Sequence, residues 1–213
     1  SDNNLCLRCH TSPSNPAFPK APAIDPVAHS HHKAGSTGGQ CVSCHMPTTN
    51  YMQRAARHDH GWIKPDPLLT KELGIPNACN RCHTDKSTDW AIENSTAWFG
   101  AKLDSHQRAR TRAVAAAQSR NPTAAASLLT LLAKEEIPAW RATLLDLAAP
   151  YADSSPAVLT AARASLAAKD PLERSAAVRL LATHNESLPL LRPLLRDPVR
   201  LVRLDAAWAF SAS

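Results

Sequence analysis

Apolar positions along this 213-residue chain fall into two regimes. From residue 101 onward they recur at three- and four-residue spacing. This predicts seven amphipathic helices, at about 105–119, 123–135, 138–149, 156–168, 171–183, 187–195 and 198–211. Their predicted inward faces include Trp140, Leu144 and Leu147, then Leu159, Ala162 and Leu166, then Leu201, Leu204 and Trp208. Before residue 100 the pattern nearly vanishes. Segments 12–26 and 35–40 are rich in Pro, Gly, Ser and Thr and read as loops. The clearest helix there runs from about Asp85 to Phe99, with Trp90, Ala91, Asn94, Ala97 and Trp98 at helical spacing and Gly100 as its stop.

Composition sharpens the division. All six glycines, all six cysteines and eight of the ten histidines lie in residues 1–100, whereas residues 101–213 hold twenty-eight Ala and twenty Leu, both strong helix formers. The expected fold is therefore mainly α. A loop-rich domain spans 1–100, and an α-helical domain of short antiparallel pairs spans 101–213. Arg108, Arg141 and Arg174 stand 33 residues apart, and Asp170-Pro171 and Asp197-Pro198 each open a helix. Both features indicate a helical solenoid. The last helix, ending in Trp208 and Phe210, has no following helix to cover it, which predicts either a longer natural chain or a packing partner.

The six cysteines fall into three pairs, each followed at once by histidine: Cys6-Leu7-Arg8-Cys9-His10, Cys41-Val42-Ser43-Cys44-His45 and Cys79-Asn80-Arg81-Cys82-His83. A Cys-x-x-Cys pair can form two thioethers to one haem, and the adjacent His is then held under the iron as proximal ligand. Zinc usually joins two such knuckles into one tetrahedral site, so three would leave one over and the histidines unexplained. A redox dithiol needs one motif on a βαβ scaffold, which the pattern lacks. Three covalently attached haems c are expected, and their apolar rings would supply the core that the loop-rich half cannot build for itself.

Each six-coordinate iron needs a second axial ligand. Five histidines remain in the first half: His29, His31, His32, His58 and His60. His29 and His32, three apart, can aim at two adjacent haems. Met46 and Met52 read as packing residues, Trp62, Trp90 and Trp98 as walls around porphyrins, and His106 and His184 as exposed or capping groups.

The stretch His29-Ser-His-His-Lys-Ala-Gly-Ser36, then Cys41-Val-Ser-Cys-His-Met-Pro47, Tyr51-Met52, Arg57-His-Asp-His60 and Pro76-Asn-Ala-Cys-Asn-Arg-Cys-His83 resembles multihaem cytochromes c that carry helical, HEAT-like repeats after their haem region. The resemblance implies that His60, in an Arg-x-Asp-His pattern, is a distal ligand. It also implies that His29 and His32 recur as ligands before the Gly-Ser step, while His58 stands where the family often has Arg. Distal ligands are thus expected at His29, His32 and His60, with His31 and His58 as alternates. Such relatives frequently carry more haems and a longer repeat tail.

Charge changes the picture least. A net charge of +6 and a pI near 9.2 raise the question of nucleic acid or anionic membrane. Three haems would bring six propionates that match much of the Lys and Arg excess, so no nucleic-acid partner is expected. No apolar run is long enough to cross a bilayer, and no basic-then-apolar leader opens the chain. The expectation is a mature periplasmic or extracellular electron carrier, its signal peptide removed, serving redox partner proteins. An extended arm at residues 1–20 and the uncovered last helix raise the further expectation of a head-to-tail homopolymer, a haem filament. The rival reading is a multihaem oxidoreductase with one open-coordination haem.

Overall fold

A computed structural model describes residues 3–103 and 105–211. Ser1, where the expected arm begins, and Ser213, where the expected uncovered repeat ends, lie outside the described residues. The chain divides into two compact units between Leu103 and Asp104, and it is mainly helical.

The first unit contains α1 (Asn4–Leu7), α2 (Pro26–Ser30), α3 (Cys41–His45), a two-stranded antiparallel hairpin of β1 (Thr48–Tyr51) and β2 (Ala55–His58), α4 (Pro67–Leu73) and α5 (Thr88–Phe99). Local chemistry sets the helix starts. The Asp25 carboxylate accepts from the Val27 and Ala28 amides, Asp66 accepts from Leu68, and Ser87 accepts from Trp90, each satisfying amides that the first turn leaves open. Ser87 fixes the start of α5 three residues after the expected Asp85. Gly100 does not end that helix by a left-handed turn: its φ is −46°, and a 3-10 turn, Gly100–Lys102, continues the coil.

The hairpin was not expected. Its tip turns through Met52 and Gln53, both at positive φ, so the Asn-Gly signal that announces such turns is missing. Met52 is exposed there rather than packed. The expected extended arm is also corrected. The chain forms α1 almost at once, and the Asn3 side chain donates to the Gly39 carbonyl at 2.8 Å and accepts from the Cys41 amide at 2.9 Å. That clamp ties the first motif to the second.

The second unit contains α6 (Ser105–Gln118), α7 (Ala124–Leu132), α8 (Pro138–Ala148), α9 (Pro156–Ser165), α10 (Pro171–Leu181), α11 (Leu188–Leu191) and α12 (Arg200–Ser211). Pro138, Pro156 and Pro171 each occupy a first helical position, where the missing N–H costs nothing. The expected 187–195 helix is interrupted: Pro193 follows α11, and the chain continues as a 3-10 turn, Arg192–Arg196. Helices α8, α10 and α12 pack in one row, with α7 and α9 against it. Leu128, Leu145, Val158, Val178, Leu181 and Leu191 lie fully buried between them.

Of the three predicted faces, the first two hold in part. Leu144 and Ala162 are buried, while Trp140, Leu147, Leu159 and Leu166 are half-buried. The third is the wrong face. Helix α12 buries Val202, Ala206 and Ala209, and leaves Leu201, Leu204 and Trp208 at 40, 46 and 71% exposure.

Ion pairs run along the row, from α8 to α10 and from α10 to the turn before α12. Arg141 forks onto Glu173 at 2.7 and 2.8 Å and donates its remaining nitrogen to the Leu132 and Glu135 carbonyls. Arg174, 33 residues on, repeats the arrangement with Asp197 at 2.8 and 2.9 Å and the Ala168 and Lys169 carbonyls.

Candidate functional site

The first unit has few buried residues. Met46, Leu69, Ala78 and Ala91 are its buried apolar side chains beside Pro47 and Pro67, and the continuous hydrophobic core belongs wholly to the second unit. What the first unit gathers instead is cysteine and histidine.

Each Cys-x-x-Cys-His motif is a single helical turn. Cys6 lies in α1 and the His10 amide donates back to the Cys6 carbonyl at 3.0 Å; α3 spans the whole second motif; a 3-10 turn, Cys79–Arg81, opens the third, with the His83 amide donating to the Cys79 carbonyl at 3.0 Å. Coiling puts residues i, i+3 and i+4 on one side, so two sulfurs and one imidazole share a face in every motif. All six cysteines are thiols, none in a disulfide.

The three motifs adjoin in order. The Cys6 thiol hydrogen-bonds that of Cys41. Burial raises the Cys41 thiol, and the neighbouring Cys6 raises it further. Cys44 is pushed up to about 11, first by burial and then by Cys79, Cys82 and Cys41 nearby. Burial likewise raises Cys79. The second motif thus stands between the other two. Two further ties reinforce this: the Asn3 clamp to Cys41, and a hydrogen bond from Arg81 to the Thr48 carbonyl.

Two distal candidates lie close to proximal histidines. The His29 and His45 ring centroids are 6.0 Å apart with planes 18° from parallel, and those of His32 and His83 are also 6.0 Å apart, at 43°. An imidazole nitrogen binds a first-row metal at about 2.0–2.1 Å, and with about 1.1 Å more to each ring centre, rings on opposite sides of one iron stand roughly 6.2–6.4 Å apart. Both pairs stand a few tenths of an ångström inside that spacing.

Ring orientation adds to the fit. Nδ1 of His10 lies 3.0 Å from the Pro22 carbonyl, that of His45 2.8 Å from Ile63, that of His32 2.6 Å from Ser30, and that of His58 2.7 Å from Met46. A carbonyl can only accept, so each ring donates from Nδ1 and, in its neutral form, carries its lone pair at Nε2. That is how metal-binding histidines are oriented. His29 is held below the usual imidazole range, by burial first and then by His45, Lys102 and His31.

Helix α2 aims the two distal candidates apart. His31, just after it, turns left-handed at φ 56° and stacks on Trp98, centroids 4.3 Å apart, while His29 rests on Phe99 at 5.3 Å. His31 thus packs on Trp98 in this turn. Trp90 leans on His83 at 4.8 Å. Trp62 lines a cavity of about 420 Å³ with Cys6, Val42, Met46, His58 and His60. Outside this unit, His106 pairs with Glu135 and His184 with Asp153. A larger groove of about 670 Å³ in the second unit is lined mainly by Ala and Leu, with neither Cys nor His.

Sequence reasoning missed three supporting residues. Gly38 lies under the His32 ring so closely that an added Cβ would stand 2.7 Å from its Cγ and Nε2. Buried Asn77 braces the third motif, donating to Thr70 and Asn80 and accepting from the Asn80 amide. Asn3 is the third. No periodicity or motif marks any of them.

A family model described as cytochrome c552 matches residues 22–142, more than half of the chain, and takes in the second and third motifs with all five candidate distal histidines. No curated protein and no solved structure matches.

Proposed function

The chain belongs to the cytochrome c552 family, and from that premise we propose that it is a tri-haem electron carrier whose irons are each held between two histidines. It is a c-type cytochrome, and haem c supplies a one-electron iron couple. The observation that carries the reading is the two close pairs of rings, His29 with His45 and His32 with His83, each at 6.0 Å. Cys6 and Cys9, Cys41 and Cys44, and Cys79 and Cys82 would hold the three haems, with His10, His45 and His83 as proximal ligands. His29 and His32 would supply distal ligands to the second and third haems, and His60 or His58 to the first. An iron with both axial positions filled has no site for a substrate, so the residues favour a carrier of electrons between partner proteins.

One observation favours the oxidoreductase reading. Among the described residues His10 has no second ring at that spacing, so an open coordination position would belong to the first motif. The oxidised holoprotein decides between the two. Pyridine haemochrome analysis should count three haems, and electron paramagnetic resonance should show low-spin iron only; a high-spin haem refutes the carrier reading.

Covalent haem attachment outside the cytoplasm supports a periplasmic or extracellular location, and no helix among the described residues is long and apolar enough to cross a membrane. The matching Arg141 and Arg174 arrangements support a HEAT-like reading of residues 101–213. The exposed Leu201, Leu204 and Trp208 row supports head-to-tail assembly into a filament. Electron microscopy of the concentrated protein tests it, and discrete monomers refute it.

A further inference from the structure

A ladder of arginines runs along the second unit, and its last rung is open. Arg141 donates one terminal nitrogen, Nη1, to the Leu132 and Glu135 carbonyls and forks Nε and Nη2 onto Glu173. Arg174 donates Nη1 to the Ala168 and Lys169 carbonyls, six and five residues back, and forks onto Asp197. Arg203 on α12 repeats the first half of this pattern. Its Nη1 donates to the Asp197 and Pro198 carbonyls, again six and five residues back, at 2.7 and 3.0 Å. Among the described residues its Nε and Nη2 hydrogen-bond to no carboxylate. Arg203 only adds to the field on Asp197, whose carboxyl Arg174 holds below the usual carboxylate range.

The side of α12 next to this rung is bare. Arg174 and Arg203 stand 29 residues apart, so Ser175 and Val178 on α10 correspond to Leu204 and Ala207 on α12. Ser175 and Val178 are buried, and the Ser175 hydroxyl donates to Asp205 of α12. Leu204 and Ala207 are exposed, with Trp208 beside them. The side of α10 that carries the next helix of the row therefore has its counterpart uncovered on α12.

We infer that this side of α12 receives the start of α8 from a second copy of the chain, with Arg203 forked onto Glu136 of that copy. The inference rests on the head-to-tail assembly proposed above and names its two surfaces. Each filled fork in the ladder takes a carboxylate at a helix start: Glu173 lies in the first turn of α10, and Asp197 stands just before α12. Glu136 stands two residues before α8 opens at Pro138. It is exposed, and among the described residues no hydrogen bond or ion pair occupies it. Its neighbour Ile137 is 52% exposed and supplies an apolar side chain for Leu204 and Trp208 to cover. Glu186 is also exposed at a helical start, but the Ser187 that follows it is fully buried and offers no apolar contact.

Charge makes the contact heterologous. A two-fold contact of α12 on α12 would bring two guanidinium groups together and leave both forks unfilled, whereas Arg203 with Glu136 joins two different patches and leaves one of each at the ends. The apolar side chains hold the copies and the ion pair sets their register. A 12-residue helix is ~18 Å long and ~10 Å across, so one face of it buries less than the ~800 Å² per partner of a stable complex. Assembly should depend on concentration.

The test is light scattering on the holoprotein over a concentration series. The parent's mass should rise with concentration. Arg203→Glu and Glu136→Arg should each raise the concentration needed at least tenfold, while Glu186→Arg should leave it unchanged. The double variant Arg203→Glu with Glu136→Arg, its charges exchanged, should regain the parent's assembly. Where Arg203→Glu fails to fold, Leu204→Glu, an exposed position on the same side, replaces it alone and in the double variant. A parent that stays monomeric throughout ends the head-to-tail reading and this inference with it. A parent that assembles while either single variant assembles equally well, or while the double variant stays monomeric, overturns the pairing of Arg203 with Glu136 and leaves the head-to-tail reading standing. So does a loss of assembly in Glu186→Arg equal to that in Glu136→Arg.

Discussion

Replacing Gly38 by alanine perturbs one proposed iron ligand without touching an ionisable group. Gly38 sits in the 3-10 turn Thr37–Gly39, and an added Cβ would lie 2.7 Å from Cγ and Nε2 of His32 and closer still to Cδ2. Carbon atoms in good contact stand about 3.5–4.0 Å apart, so something must move by roughly an ångström. The turn is the stiffer partner: the Ser36 hydroxyl accepts from the Gly39 amide and donates to the Lys33 carbonyl. The ring must therefore yield. Rotation about its own bonds relieves the clash, so the cost in fold stability should stay at or below the ~1–3 kcal/mol of ordinary overpacking. The cost in ligation is larger in effect, because a 6.0 Å opposition to His83 leaves no room for an ångström of drift. G38A should thus keep three haems and a helical signal like the parent's, while one iron turns high-spin and recovers low spin with added imidazole. Gly100→Ala is the control, since its Cβ would meet only the Thr96 methyl at an ordinary 3.5 Å. A wholly low-spin G38A of unchanged stability refutes the placement of His32 as ligand.

Three shorter predictions follow from other contacts. Glu173→Gln should cost about 2–3 kcal/mol in urea unfolding followed by far-ultraviolet dichroism; this falls below the ~3–5 kcal/mol of a fully buried broken pair because Arg141 keeps two carbonyl acceptors. The Arg141 guanidinium holds the Glu173 carboxyl below the usual carboxylate range. The pair's contribution is therefore present above that range and fades as pH falls through the lowered value, so the gap between parent and variant should close in acid; a pH-independent gap contradicts the pairing. Asn3→Ala should speed hydrogen exchange at the Cys41 amide by roughly tenfold for ~1.4 kcal/mol lost, the upper part of the range for a single bond, and unchanged exchange would place that amide's protection elsewhere. Trp208→Ser should leave unfolding within about 0.5 kcal/mol of the parent, as for an exposed side chain, while lowering any assembled mass seen by light scattering.

The helical half was legible because its fold is written in a period. Each of its helices packs a stripe of Ala and Leu against its neighbours, and proline at the first position of α8, α9 and α10 marks the boundaries. The period fails as a guide at α12. Leu201, Leu204 and Trp208 are the larger and more apolar set, yet Val202, Ala206 and Ala209 are buried, because a close helix contact with α10 suits small side chains. The motif half was legible only where chemistry forces a spacing. Cys-x-x-Cys-His needs one helical turn and has one each time. The proposed distal histidines carry no such constraint within the chain, since the ring near His45 comes from α2 and that near His83 from the turn just after it. Their identity rests on ring orientation: His31 and His32 are neighbours, and a left-handed φ at His31 turns one onto Trp98 and the other toward His83.

Charge shows the same limit of composition. The excess of Lys and Arg invites the inference that haem propionates neutralise it, but location decides that question. Residues 1–103 hold ten Lys and Arg against eight Asp and Glu, and residues 104–213 hold fourteen against ten. Most of the excess therefore lies in the half without a haem motif, where Arg141, Arg174 and Arg179 are already committed to Glu173, Asp197, Asp146 and Asp205. Propionates bound in the first half could balance its two surplus charges and no more. With three haems in place the six propionates would bring that half to about −4 with ferrous irons and about −1 with ferric ones, each ferric core keeping one positive charge. The basic pI therefore belongs mainly to the helical half, and the proposed haem half would be the more acidic of the two.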